Sequence, residues 1–130
     1  MVPNMSDSLD RLYEAVLAAR TADPTRSRTA RLLRQGRAKM GKKLAEEAVE
    51  VVIDAVNGNR DAVIKESADL IYNLAVLWVA SDVSPKDVWK EMDRRERLFG
   101  IAEKVPKKLP EEFPRRKVVV LEGRRARKRR

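Results

Sequence analysis

The segment from Ala62 to Ala80 is apolar in nearly every direction around a helix, and it constrains the fold more than any other. Its Val, Ile and Leu residues do not gather on one face, as they do in a surface helix. A helix of this kind is buried against other helices or a second subunit. Its uncharged stretch, Leu70 to Ser81, is shorter than the roughly 20 residues of a membrane span. We therefore expect a soluble, cytoplasmic protein with this helix in its core.

The neighbouring sequence predicts that this helix is one half of a hairpin. An amphipathic pattern over residues 39–56 precedes it, and Asn57-Gly58-Asn59 forms a tight turn between the two. Helix boundary signals predict further helices at 7–22, 29–35 and 84–97. We predict an all-α fold, a helical bundle built on an antiparallel helix hairpin, in one domain over residues 1–100.

The C-terminal residues, 101–130, differ in composition from the rest of the chain. Residues 104–130 carry a net charge of +9, so the remainder is neutral. Three prolines punctuate this tail, Lys117 to Leu121 is compatible with one short strand, and the final residues resemble disordered sequence. Two interpretations stay open: a solubilising end, or a tail that binds nucleic acid in a salt-sensitive way.

Carboxylates lie on both helices of the predicted hairpin. Glu66 and Asp69 share one stripe of the apolar helix with Asn73. An antiparallel hairpin with this turn places Glu50 opposite Glu66, and Glu47 opposite Asp69. Buried carboxylates are costly without a counter-charge, and their oxygens are the ligands that Mg²⁺ prefers. The register predicts a Mg²⁺ site; the alternative is a structural network of salt bridges.

A basic segment leads directly into these carboxylates. Residues 24–45 contain eight Lys or Arg and no acidic residue. Basic groups beside Mg²⁺ suit a polyphosphate substrate, although a nucleic-acid surface or a solvated helix face are alternatives. No GxxxxGK[ST] motif for a phosphate-binding loop is present. The absence of His and Cys excludes imidazole and thiolate chemistry.

Three stretches of the chain resemble the phosphoribosyl-ATP pyrophosphohydrolase family, which is related to the MazG and dimeric dUTPase proteins. They are SRTARLL at 27–33, KMGKKLAEEAVEVVIDAVNGNRD at 39–61 and ESADLIYNLAVLWVASDVSPKDVWKEMDRR at 66–95. The resemblance covers residues 9–97 and includes paired EExxE and ExxD motifs. It implies an all-α, MazG-like fold with a dimeric core. It also implies Mg²⁺-dependent hydrolysis of phosphoribosyl-ATP to phosphoribosyl-AMP and pyrophosphate, in histidine biosynthesis.

The resemblance also assigns roles to individual residues. It implies that Glu46 joins the other carboxylates at the metal, that lysines contact phosphate, and that Ser27 and Thr29 lie near the substrate. We hypothesise that Glu47 or Glu50 orients or deprotonates the attacking water. The candidates for metal binding are Glu46, Glu47, Glu50, Glu66 and Asp69. The candidates for substrate binding are Lys39, Lys42, Lys43, Ser27, Thr29, Arg31 and Asn73.

Three positions depart from the usual residues of the family, namely Ala45, Arg28 and Asn73. The family more often has glycine, an aromatic residue and histidine there. The acidic residues are intact, so hydrolysis is expected to be retained. Two other functions stay open: a MazG-like pyrophosphatase for other nucleoside triphosphates, and a catalytically degenerate relative that binds nucleic acid through its basic tail.

Overall fold

The computed structural model describes residues 5–100 of the chain, with side chains from Ser8 onward. This part contains five α-helices and no strand, which confirms the all-α prediction. The helices are α1 Met5–Ala19, α2 Arg28–Arg34, α3 Arg37–Val56, α4 Arg60–Ala80 and α5 Pro85–Phe99. None of these helices is long and apolar enough to cross a membrane. The chain divides into compact units after Glu91, and the contacts below lie within residues 1–91.

An antiparallel pair of long helices, α3 and α4, forms the centre of the fold, as predicted. Gly58 lies in the turn between them at φ +72°, a conformation that glycine adopts without steric cost. The side-chain oxygen of Asn59 accepts a hydrogen bond from the Ala62 N–H at 3.2 Å and so caps α4. This turn fixes which residues of α3 and α4 lie opposite each other.

The apolar core lies against the second half of α4. It joins Val76 and Val79 of α4 to Val16 of α1, Leu32 of α2 and Met40 of α3. Four helices therefore contribute to one core, and burial of their apolar side chains is the main stabilising term. The core also fixes where the short helix α2 lies relative to the hairpin.

One side of α4 is exposed in the single chain. Val76 is fully buried, yet Ile64 and Ile71 are 52% and 42% exposed. In the part that the structure describes, the single chain therefore leaves Ile64 and Ile71 at its surface. The sequence predicts burial against other helices or a second subunit, so burial of these two residues by a second subunit stays a prediction.

Two of the helix ends that differ from the sequence-based boundaries have a local cause. The N–H groups of Arg20, Thr21 and Ala22 bond to carbonyls three residues back, at 3.1–3.4 Å. This tight 3₁₀-type turn ends α1 three residues earlier than predicted. The second such end is the start of α3, which lies two residues before the predicted one. It directly follows Gly36, whose φ of +94° is not helical and so separates α3 from α2.

The last described helix begins with a reciprocal cap. The Asp87 N–H donates to Ser84 Oγ at 3.3 Å, and the Ser84 N–H donates to Asp87 Oδ2 at 2.9 Å. This capping box confirms the predicted start of the helix. The predicted strand at 117–121 and the basic tail lie outside the described residues, and the domain boundary at residue 100 stays a prediction.

Candidate functional site

Carboxylates from α3 and α4 meet across the helix hairpin. Oxygens of Glu47, Glu66 and Asp69 lie within 4.8 Å of one another. The Glu66 carboxyl group is also in hydrogen-bond contact with Glu50 and Glu47. Antiparallel helices place residues at equal distances from the turn opposite each other, so the structure brings these side chains together in the predicted register. Glu47, Glu66 and Asp69 are called the carboxylate group below.

The electrostatics of this group favour a cation. The pKa of Glu66 is raised from 4.5 to about 7, first by hydrogen bonds with Glu50 and Glu47, then by burial and by their negative charges. Glu47 Oε2 is buried and has no hydrogen-bond partner. A buried carboxylate oxygen without a partner is costly, and a divalent cation satisfies such an atom. The all-oxygen donor set therefore fits a hard cation such as Mg²⁺.

Two of the five predicted ligands, Glu46 and Glu50, lie outside the carboxylate group. Glu46 is exposed on α3, next in sequence to Glu47. Neighbouring residues of a helix point about 100° apart, so the two side chains leave α3 in different directions. Its role as a metal ligand stays a prediction.

A basic pocket of about 200 Å³ lies between α2 and α3. It is lined by Arg28, Arg31 and Lys43, together with Leu32 and Gln35, and none of these residues is acidic. Lys43 precedes Glu47 by four residues, which places the two on one face of α3, a single turn apart. A phosphate chain held at the carboxylate group therefore has cationic side chains one turn away.

Of the basic residues expected to bind substrate, Arg31 and Lys43 line this pocket, while Lys39 and Lys42 are exposed and do not. Arg31 Nη1 donates to the Pro24 carbonyl at 2.7 Å, which orients its guanidinium group. Arg28 was not among the sequence-based candidates for substrate binding. Its place in the basic segment of residues 24–45 is the signal that could have identified it.

A hydrogen bond between two side chains fixes α2 on α4 beside the carboxylate group. Thr29 Oγ1 lies 2.6 Å from Tyr72 Oη, and either hydroxyl is able to donate. Tyr72 follows Asp69 by three residues on α4, so this bond links α2 to the helix that carries the carboxylates. Thr29 therefore holds the basic pocket in place, and its direct contact with substrate stays a prediction.

The other two polar candidates are also engaged within the protein. Ser27 Oγ accepts from the Ala30 N–H at 3.1 Å and caps α2. Asn73 is only 6% exposed, and its Nδ2 donates to the Asp69 carbonyl at 2.8 Å. Both residues position the helices that form the site, and substrate contact by either one stays a prediction.

Replacing Thr29 with valine is expected to lower the free energy of unfolding by about 1 kcal/mol, because Tyr72 loses its partner while the side-chain shape is kept. Chemical denaturation measures this loss. In Thr25→Val, the lost hydroxyl bonds only to the exposed Asp23, and the change should be smaller. Equal losses for the two variants would contradict the role given to Thr29, as would full additivity of Thr29→Val with Tyr72→Phe.

The raised pKa of Glu66 predicts that the metal-free protein loses stability between pH 4.5 and 7. The folded state binds this proton more tightly than the unfolded chain does. The resulting stabilisation is complete below pH 4.5 and is lost as the pH rises through about 7. Thermal unfolding in EDTA measures the slope, which Glu66→Gln should remove and Asp61→Asn, also on α4, should keep. An unchanged slope in Glu66→Gln is the contrary result.

These features define a helical-bundle protein whose acidic, cation-compatible group lies beside a pocket for anions. The sequence model of one family, described as Phosphoribosyl-ATP pyrophosphohydrolase, matches residues 9–96. The chain belongs to this family. The resemblance carried by the EExxE and ExxD motifs is thereby confirmed.

Similarity to individual proteins extends over most of the chain. It is 65% identical over 133 aligned positions to Phosphoribosyl-ATP pyrophosphatase 2 of Bradyrhizobium diazoefficiens, covering 96% of this chain and 99% of that protein. It is 73% identical over 103 positions to the protein of the same name from Rhodopseudomonas palustris, covering 79% of each. The Phosphoribosyl-ATP pyrophosphatase of Gluconobacter oxydans is 55% identical over 96 positions, which cover 74% of this chain and 72% of that protein.

Proposed function

We propose that this protein hydrolyses the α–β phosphoanhydride of phosphoribosyl-ATP, giving phosphoribosyl-AMP and pyrophosphate, in cytoplasmic histidine biosynthesis. The observation that carries the proposal is the convergence of Glu47, Glu66 and Asp69 beside a basic pocket. Relatives of nearly equal length that are named phosphoribosyl-ATP pyrophosphatases support the choice of substrate.

Mg²⁺ is the cation that we propose at the carboxylate group. Glu47, Glu66 and Asp69 would hold it, and the unpartnered Glu47 Oε2 is the first atom it would satisfy. When bound, the cation supplies charge that offsets phosphate oxygens and makes a nearby water more acidic. Glu46 is a further candidate ligand.

Glu50 is the residue that we propose as general base. It contacts Glu66 yet lies outside the carboxylate group, so its oxygens stay available when a cation is held there. As the water oxygen bonds to the α phosphorus, its proton passes to a Glu50 carboxylate oxygen, and the bond from that phosphorus to the bridging oxygen of pyrophosphate breaks. This assignment separates the roles that the sequence left shared between Glu47 and Glu50.

The basic pocket is where we propose that the pyrophosphate leaving group binds. Arg28, Arg31 and Lys43 would donate charge-assisted hydrogen bonds to its oxygens. These interactions strengthen as negative charge moves onto the leaving group, so they lower the barrier as well as bind substrate. Among the basic residues of this pocket, Lys43 is the closest in sequence to the carboxylate group, one helical turn from Glu47.

An exposed apolar stripe along the hairpin supports a homodimer. Residues of α3 at spacings of three and four share one side, and Val56 among them is 81% exposed. The exposed apolar residues of the two helices, called the stripe below, are Val49, Val52, Ile53 and Val56 of α3 with Ile64 and Ile71 of α4. Large exposed apolar patches mark interaction surfaces. We propose that two copies pair through this stripe, which would complete the burial of α4 that its sequence predicts.

A bacterial strain that lacks this activity and requires histidine tests the proposed function. Expression of the wild-type chain is expected to restore growth without histidine, and expression of Glu47→Gln is not. Matched protein levels, checked by immunoblot, control for folding. No growth with abundant wild-type protein would contradict phosphoribosyl-ATP as the substrate and favour a pyrophosphatase for other nucleoside triphosphates.

A further inference from the structure

A second pocket, of about 450 Å³, is lined by arginines from three different segments. Arg20 follows α1, Arg34 ends α2 and Arg37 begins α3. Core residues such as Met40 and Val79 also line it, so the pocket combines an apolar surface with three guanidinium groups. Its volume is in the range of small-molecule sites. It is called the arginine pocket below.

The three guanidinium groups are available for an anion. All three arginines are exposed, and within residues 8–91 their side chains form no hydrogen bond or ion pair. The pKa of Asp23 is lowered mainly by the pair of hydrogen bonds that it accepts from the Thr25 N–H and hydroxyl, at 2.9 and 2.8 Å. The positive charge of Arg34 also lowers this pKa, but only weakly. No acidic residue lines the pocket. Three like charges around one cavity are stabilised by a dianion.

Backbone groups add to this positive character. Gly36 lines the pocket and is the N-cap of α3, where no side chain caps the helix. The first N–H groups of α3 therefore have no helical acceptor, and the positive end of the helix dipole lies at the pocket. The first turn of α3 also contains no acidic residue.

Residues of the arginine pocket and of the carboxylate group share one direction on each helix of the hairpin. On α3, Met40 precedes Glu47 by seven residues, which is two helical turns and nearly the same direction. On α4, Ala80 follows Asn73, and Asn73 follows Glu66, at the same interval. Glu47 and Arg37 are separated by about 15 Å along the helix axis, at about 1.5 Å per residue.

We infer that the arginine pocket binds the ribosyl 5′-phosphate of phosphoribosyl-ATP and thereby distinguishes this substrate from ATP, an inference that rests on the proposed function. Phosphoribosyl-ATP carries a ribose 5′-phosphate on its purine in addition to the triphosphate of its ATP part. The nucleoside therefore lies between two anionic groups. With the α–β bond at the carboxylate group, the purine lies towards Met40 and Val79. The second phosphate reaches Arg20, Arg34 and Arg37, and ATP has no group for this pocket.

Kinetics and product inhibition of single arginine variants test the inference. Arg34→Ala and Arg37→Ala are each expected to raise KM for phosphoribosyl-ATP about tenfold or more, with kcat little changed. The inhibition constant of phosphoribosyl-AMP should rise in parallel, whereas that of AMP, which lacks the second phosphate, should not. Arg37→Lys should recover part of the loss. Arg60→Ala, an exposed arginine at the start of α4, is the matched control.

The contrary outcomes are separable. If the wild type is active and both alanine variants keep its KM for phosphoribosyl-ATP, this inference is overturned and the proposed function is not. Equal weakening of AMP and phosphoribosyl-AMP would also overturn it, because the arginines would then act on the nucleotide that both share. No release from phosphoribosyl-ATP by the wild-type protein would overturn the proposed function and this inference with it.

Discussion

Replacing Glu47 with glutamine is expected to lower kcat for Mg²⁺-dependent pyrophosphate release by about a thousandfold. Glutamine keeps the shape of the side chain but removes the charge that balances a cation. The affected atom is Glu47 Oε2, which is buried and has no partner within the protein. A steady-state assay of pyrophosphate release, repeated over a range of Mg²⁺ concentrations, measures the effect.

Asp69→Asn should have a comparable effect, because Asp69 belongs to the same carboxylate group. Asp61→Asn removes an equal charge from the exposed first turn of α4 and should leave kcat close to that of the wild type. A wild-type rate in Glu47→Gln would instead favour a structural network of carboxylates, which is the alternative that the sequence leaves open.

Stability measurements separate loss of catalysis from loss of fold in Glu47→Gln. Removing one charge from converging carboxylates relieves repulsion, so the variant should unfold in EDTA at a temperature no lower than the wild type does. Addition of Mg²⁺ should stabilise the wild type and have little effect on the variant, because a ligand stabilises only the state that binds it.

Val52→Asp is expected to convert a dimer into monomers, raising the dissociation constant by at least about a hundredfold. In a symmetric dimer each substitution places two carboxylates in the apolar interface. Light scattering coupled to size-exclusion chromatography measures the mass. Val52 is 60% exposed in the single chain, so the substitution should not unfold the protomer.

Ala15→Asp on the exposed side of α1 is the control for this change, and it should remain dimeric. A monomeric wild-type protein at micromolar concentration, or an unaltered mass in Val52→Asp, would show that the stripe on α3 and α4 is not the interface.

Local signals in the sequence were enough to predict the hairpin and its register. Asn57-Gly58-Asn59 contains both the glycine of the turn and the cap of α4, so the bounds of α4 match the prediction. Once the turn is fixed, antiparallel geometry alone brings Glu66 to Glu50 and Glu47. This part of the candidate site depends on helical periodicity and little else.

Features that depend on tertiary packing were not predictable in the same way. Arg28 reaches the basic pocket because Thr29 bonds to Tyr72 and because Ala30 and Leu32 are buried, and none of these contacts is local. The arginine pocket likewise joins three segments that only the fold brings together.

The exposure of Ile64 in the single chain concerns a point on which the sequence left two alternatives open. Apolar periodicity predicts burial but does not say whether the covering surface belongs to the same chain or to a second copy. The apolar stripe on α3 and α4 is consistent with the second possibility.

Pyrophosphate release from phosphoribosyl-ATP and from a panel of nucleoside triphosphates, each assayed with Mg²⁺ and with EDTA, tests the central claim most directly. We expect kcat/KM for phosphoribosyl-ATP to exceed that for every other nucleotide by at least about a hundredfold, and all release to stop in EDTA. Activity that persists in EDTA at the Mg²⁺ rate would contradict the metal site. Equal kcat/KM across the panel would contradict the substrate.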